Sequence, residues 1–458
     1  MNDSIATQQD PPKLRRVLGL WDLVLFGIIL IQPIPSLGQF GIGSKLSHGH
    51  MVTALLVAMV AMLFTAVSYG RLSAVYPSAG SAYAYVGRGL NAHIGFLVGW
   101  AMFLGYLVIP LVNVVYAAVT SQRVFEHTFL SGTPYVVWLV LLVLAITMLN
   151  LRGLRSTARF NIALMVAMSA FVLVYIALAL RFLFHGQGLP GLFSFTPFYD
   201  PRTFDFQAIR AGTAFVALTY IGVDGITTLA EDVRNPKRNV MLATILVCVF
   251  TGVFSGFQIY LAQRVWPDYK TFPNLETAIF DVCQRIGGPL LFTALAVTLL
   301  IASIGSGLAG QAGGARLLYG MGRDGVLPRR FFGRLDAKGK CPILNLWLIA
   351  TLTIAAALFF NYEKAGKLLV FGSFLAFIWV NLAAISVFYF RAAKGERSVL
   401  RDALPPALGV VFCTLIWAAL DKATMISGFI WMLIGLVYLG MTTAGFSKQP
   451  PQIDFSEG

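Results

Sequence analysis

The chain is 458 residues long, 57% of them apolar and only 12% charged, whereas a water-soluble domain carries about 25% charged residues. That deficit, with a mean hydropathy of +0.76, excludes a soluble globular enzyme and assigns most of the chain to a bilayer. The net charge of +14 comes without a basic soluble domain, so no nucleic-acid partner is expected and the excess reads as a topology signal.

The opening segment, 1–19, is polar and holds Pro11, Pro12, Lys13, Arg15 and Arg16. No small-residue cleavage site follows its neighbouring apolar run, which is therefore expected to stay in place as a helix. Twelve apolar runs then succeed one another, at 20–45, 51–75, 92–121, 135–150, 160–184, 209–229, 240–263, 290–319, 343–360, 368–390, 403–420 and 425–444. Lipid admits only helices or closed barrels, and runs of about 20 residues suit helices. The predicted fold class is an all-α integral membrane protein of twelve transmembrane helices.

Two of the runs are interrupted. In the first, Gln32-Pro33-Ile34-Pro35-Ser36-Leu37-Gly38 breaks the apolar pattern; in the sixth, Thr219-Tyr220-Ile221-Gly222-Val223-Asp224-Gly225 sets two glycines and a carboxylate near mid-membrane. Proline removes a backbone donor and glycine weakens a helix, so both stretches are predicted to unwind. Unwound backbone survives at that depth only inside protein or beside a watery cavity. The breaks hold matching places in two five-span halves, 20–184 and 208–390, which predicts a 5+5 inverted-repeat transporter core over 20–390. Two additional helices in 403–446 and a tail at 447–458 complete the organisation.

With an even number of spans, the tails, the connections after even-numbered spans and the adjoining span ends carry 23 of the 34 lysines and arginines, against 11 on the other side. The positive-inside rule then makes both termini cytoplasmic, in a multi-pass protein of the inner (plasma) membrane. The four cysteines, Cys248, Cys283, Cys341 and Cys413, are far apart and form no ligand cluster, so neither a metal nor a cofactor is expected.

Asp224 is the most informative ionisable residue, because acids within membrane spans are functional by default. It is a candidate for binding a substrate ammonium, for carrying a coupled proton, or for capping a half-helix. Tyr220, Phe215, Trp100 and Tyr106 stand near the breaks and are candidates for cation–π contact with an amine. Glu231 and Asp232, with Arg316 and Arg323, are candidates for an inner gate of ion pairs, the alternative being solvated positive-inside charges. His48 and His50 are assigned to a loop or cap.

An ordered set of motifs adds a resemblance. Leu20-Trp21 opens span 1, and Phe40-Gly41-Ile42 with Ser47-His48-Gly49-His50 closes it. Pro77-Ser78-Ala79-Gly80-Ser81-Ala82-Tyr83-Ala84-Tyr85 follows span 2, and Gly95-Phe96 and Gly99-Trp100 lie in span 3. Gly222-Val223-Asp224 leads to Glu231-Asp232-Val233-Arg234-Asn235-Pro236-Lys237-Arg238-Asn239, and span 8 runs out through Ala315-Arg316-Leu317-Leu318-Tyr319-Gly320-Met321-Gly322-Arg323-Asp324-Gly325-Val326-Leu327-Pro328. In these the chain resembles the amino acid–polyamine–organocation superfamily of permeases, and within it the bacterial putrescine importers, over spans 1 to 10.

The resemblance implies a substrate site at the span 1 break, Pro33, Ile34, Pro35 and Ser36, where amino acid members usually receive a carboxylate on glycine-rich backbone. The two prolines delete N–H groups from that cradle, which favours an amine. Three departures stand out: Gly38 where the putrescine importers carry an acid, Leu218 where some members carry an aromatic gate, and Met168 where several proton-coupled members carry a lysine. The expected function is a secondary active transporter that imports a small amine (putrescine-like) or amino acid by alternating access. The alternatives are an α-amino acid permease or an amino acid/amine exchanger, and behind them a membrane-embedded enzyme or a channel. A proton is the expected coupling ion, through Asp224; sodium at Ser303 and Ser306 is the second choice. The remaining partner is the lipid bilayer.

Overall fold

A computed structural model describes residues 17–77, 81–126, 128–152, 158–323, 327–336, 341–393, 395 and 397–450. The first run forms α1 (Leu20–Ile31), α2 (Pro35–Gly38) and α3 (Phe40–Leu46), followed by α4 (Met51–Val75). Next come α5 (Ser81–Gly89), α6 (Ala92–Phe125), α7 (Tyr135–Leu151), α8 (Ala158–Leu192) and α9 (Phe206–Val216). Two 3₁₀ segments, Ala217–Tyr220 and Val223–Asp232, continue α9 and precede α10 (Pro236–Val265). The rest is α11 (Ala278–Arg323), α12 (Arg329–Phe332), α13 (Ile343–Ala357), α14 (Tyr362–Ile385), α15 (Leu404–Trp417) and α16 (Lys422–Thr442).

Among the described residues ten helices are long and apolar enough to cross a bilayer, and two shorter apolar helices, Tyr135–Leu151 and Ile343–Ala357, fall on the fourth and ninth predicted runs. Starts are set by polar caps. Asn91, Asp205, Asn361 and Asp421 each accept a backbone N–H bond at the first turn of α6, α9, α14 and α16, satisfying donors the helix leaves unpaired. The eighth run begins differently from its predicted start: α11 has a bend at Gly288 (φ 62°) before Pro289, so the turns from Ala278 form a separate short helix lying ahead of the long one. Proline has no N–H for the ladder, and glycine alone accepts that φ readily.

The helices bury an extended apolar core that includes Phe371, Phe374, Phe377, Tyr175 and Tyr220. Their outer sides stay apolar. Along α16, Ile426, Phe429, Ile430, Leu433, Ile434 and Val437 are all more than half exposed, a stripe that lipid solvates and water does not. α16 docks on α6 through Trp100 and Trp431, whose rings stack at 5.0 Å while each indole N–H donates to the other's backbone carbonyl at 2.9 and 3.0 Å.

The two interrupted helices are tied at the end where α1 begins. Leu18 pairs with Val233 in a parallel bridge, with Val17 N–H to Asp232 O at 2.9 Å and Arg234 N–H to Leu18 O at 2.9 Å. At the other end, α14 and α16 are tied by Lys367, which is 8% exposed and lies 2.5 Å from Glu363 and 3.3 Å from Asp421. Lys367→Met removes the cation and strands two carboxylates. A loss of about 1–3 kcal/mol is expected, below the full buried-pair value because both acids are partly exposed. The measurement is the melting temperature in detergent, and adding Glu363→Gln should restore part of it.

Candidate functional site

Both predicted interruptions are present. α1 ends at Ile31, Gln32 leaves the helix at φ 65°, ψ 147°, and α2 restarts at Pro35. Part of the cause is local: the α region is disfavoured for the residue before a proline, and Gln32, before Pro33, leaves it, although Ile34, before Pro35, does not. In the second, Val216 passes into 3₁₀ backbone, Ile221 is extended, and Gly222 takes φ 113° before Val223–Asp232. At Gly222 a Cβ would meet nothing nearer than 3.8 Å, so it is the left-handed backbone, not crowding, that calls for glycine.

The groups freed by unwinding find partners. Gln258 of α10 donates to Pro33 O at 3.1 Å, and Thr219 donates to Gln39 Oε1 at 3.1 Å, joining the two broken helices directly. The Gly222 N–H donates to Asp224 Oδ1 at 3.3 Å, and the Thr227 hydroxyl donates to Asp224 O at 2.7 Å. Thr227 in turn lies 3.0 Å from Ser81 Oγ, so the described part of the Pro77–Tyr85 motif buttresses this break; residues 78–80 lie outside the described residues.

Between the breaks lies a cavity of about 380 Å³, within the range of small-molecule sites. Ile34, Pro35, Tyr106, Gly222 and Asp224 line it, as do Gly38, Leu218, Ser303 and Ser306. Asp224 is the only charged residue among the described residues that line it. At one end Tyr116 and Tyr362 pack at 4.7 Å, with Phe215 edge-on to Tyr362 at 6.1 Å, and all three are buried. Leu30, in the last turn of α1, and Tyr106, both lining residues, are 42% and 37% exposed. The buried tyrosine pair closes the first end, and the lining on the side of Leu30 and Tyr106 is the more open.

Several expected residues sit elsewhere. Trp100 is locked against Trp431 and does not line the cavity, and Tyr220 is turned to α4, its hydroxyl donating to Leu55 O at 2.9 Å. Helices in a crowded bundle bury aromatics on more than one face, and these two face neighbours. Pro33 and Ser36 are buried just behind the lining. Asp232 joins the clasp to residues 17 and 18 through its backbone, Arg316 is exposed on α11, and Arg323 ends that helix. The Glu231 side chain and residues 324–326 lie outside the described set. His50 precedes α4, 3.1 Å from Thr203 Oγ1, and His48 stacks on Tyr269.

Sequence reasoning passed over Gln39, Asn113, Tyr116 and Tyr362, all of which line the cavity. Gln39 and Asn113 carried a usable signal, being amides within apolar spans. Asn113 donates to Ser306 Oγ at 3.1 Å. The tyrosines carried none.

Beyond the closed end, the connection from α10 to α11 brings Glu276 to the start of α14. Burial pushes its carboxyl above the usual carboxylate range, a bond from the Tyr362 backbone N–H opposes this, and the Glu363 charge adds to the rise. A raised folded-state pKa adds stability that is complete below the unfolded value of about 4.3 and is lost as pH climbs through the folded one. Glu276→Gln is expected to flatten that decline, seen as a smaller fall in melting temperature between pH 4 and pH 8.

Comparison with known proteins agrees with this architecture. The family model described as amino acid permease matches residues 18–451. The low-affinity putrescine importer PlaP of Escherichia coli (strain K12) is 32% identical over 99% of both chains. The branched-chain amino acid permease BcaP of Bacillus subtilis is 25% identical over 98% of this chain and 97% of its own. The vacuolar cationic amino acid transporter 4 of Arabidopsis thaliana is 27% identical over 83% of this chain and 64% of its own.

Proposed function

The chain belongs to the amino acid permease family and is a secondary membrane transporter, not an enzyme; from that premise we propose that it imports a small amine, putrescine-like, or an amino acid across the inner membrane by alternating access. One observation carries the reading: two broken helices face each other across a cavity of about 380 Å³ whose single charged lining residue is Asp224. Asp224 receives the substrate ammonium, and unwound backbone at Ile34, Pro35 and Gly222 supplies the polar frame, with Tyr106 over the open end. Relatives whose names specify putrescine, branched-chain and cationic amino acid transport support this range of cargo.

In this reading both termini are cytoplasmic and the cavity is open to the cytoplasm. The Tyr116–Tyr362 pair forms the outer closure. The two broken helices, tied to each other by the Leu18–Val233 clasp and by Thr219–Gln39, rock as one unit against the rest of the core. A proton is the coupling ion, taken by Asp224 between substrate loads. Sodium is the second reading because Ser303 and Ser306 line the same cavity as the span 1 break.

The test is uptake into proteoliposomes of labelled putrescine, other polyamines and amino acids, with proton and sodium gradients imposed separately. Accumulation under the proton gradient is the expected result. Accumulation under sodium alone moves coupling to the serines, and no accumulation of any of these compounds refutes the reading.

A further inference from the structure

We propose that the closed end of the cavity is a neutral hydrogen-bonding subsite, made by the Gln39 carboxamide and the Tyr116 hydroxyl, that selects amines bearing a hydrogen-bond acceptor at their far end over diamines. The proposal deepens the function above and rests on Asp224 taking the ammonium.

Its basis is a set of buried polar atoms left without partners. Gln39 is fully buried; its Oε1 is engaged by Thr219, and its Nε2 has no hydrogen-bond partner among the described residues. Tyr116 is 5% exposed and its hydroxyl also has none. Both residues line the cavity that Asp224 lines. Buried donors are normally satisfied, so a pair left open beside one cavity marks a place for a ligand atom.

The pair is held in place. Tyr116 stacks on Tyr362, and its hydroxyl lies 2.8 Å from where a Cβ on Gly38 would stand. Any side chain at 38 therefore meets that hydroxyl, and the glycine leaves the space to it. Asp224 is the single charge among the described lining residues, and the acid nearest this end, Glu276, stands outside the lining, beyond Tyr116 and Tyr362, so a second ammonium entering here loses its water and meets no carboxylate in the cavity wall. A carbonyl, hydroxyl or carboxylate oxygen can instead accept from the Gln39 amide or the Tyr116 hydroxyl.

The test uses four-carbon amines that differ only at the far end: butylamine, putrescine, 4-amino-1-butanol and 4-aminobutyrate, each measured by binding to the purified full chain. In the parent protein, at least one of the two acceptor-tailed amines should bind about tenfold or more tighter than both butylamine and putrescine. In Tyr116→Phe and Gln39→Leu, the ratio of that compound's affinity to butylamine's should fall towards one, melting temperatures showing that the variants are folded. Putrescine binding as well as or better than both acceptor-tailed amines overturns the proposal. So does an unchanged ratio in both variants, or no binding by either acceptor-tailed amine. Asp224→Asn separates the two ideas. If it weakens every amine while the ratio ignores Tyr116 and Gln39, only the subsite fails; if it weakens none, the assignment of Asp224 fails.

Discussion

Replacing Asp224 by asparagine is expected to weaken binding of the transported amine by about 10- to 100-fold, the effect of losing roughly 1.5–3 kcal/mol from a charge-assisted hydrogen bond. The substitution keeps the shape of the side chain and its bond from the Gly222 N–H, so the break itself should persist. What it removes is the one negative charge lining the cavity. A proton carrier at the same atom makes a second readout available. If Asp224 binds the proton as well as the ammonium, uptake by the variant should lose its dependence on external pH while counterflow of preloaded substrate survives at reduced affinity. Unchanged affinity together with an unchanged pH profile would remove Asp224 from the mechanism and leave it as a cap on Val223–Asp232.

The second large effect is expected at Gly222. Its φ of 113° lies where residues with side chains rarely go, and space is free around the missing Cβ. Gly222→Ala should therefore cost about 1–2 kcal/mol through backbone strain alone, and the β-branched Gly222→Val more. Two results are possible in the protein: the strain lowers the melting temperature with the break kept, or the chain relaxes towards continuous helix and transport is lost. Either is measured by pairing thermal unfolding in detergent with uptake. Gly225 is the control. A Cβ there meets only the end of the Leu30 side chain, at 2.7 Å, and its φ is not left-handed, so Gly225→Ala should be the milder change. Equal stability and equal uptake in all three variants would show that the unwound backbone is not needed.

The positions of the two breaks were legible in the sequence because their causes are local. Pro33 lacks the N–H of a helix ladder and disfavours the α region at Gln32 wherever the chain lies, and Gly222 followed by Asp224 is unlike any stretch a continuous membrane helix favours. The start of the eighth run was less legible. Gly288-Pro289 reads as a helix boundary, but nothing local shows that the residues before it form their own short helix, whose first residue Ala278 and the preceding Leu275 O lie 2.7 and 2.2 Å from a Cβ built on Gly41. That approach is a property of the packed chain, and it explains why Gly41 belongs to the span 1 motif.

The aromatic residues divide differently. Trp100 and Tyr116 share α6, a helix apolar on every side, so its pattern does not distinguish the face on the cavity from the face on α16. Packing decides: Trp431 claims Trp100, and Tyr362 holds Tyr116 at the closed end. Gln39 and Thr219 meet across 180 residues of sequence. By itself, then, the sequence determined membrane residence, helical architecture, the family and both unwound stretches, since these follow from apolar run length, ordered motifs and the backbone rules of proline and glycine. Which side chains surround the cavity, which end is shut and where unpaired donors gather were decided by the tertiary structure alone, because in a bundle buried on most sides the facing of a residue is set by its neighbours in space.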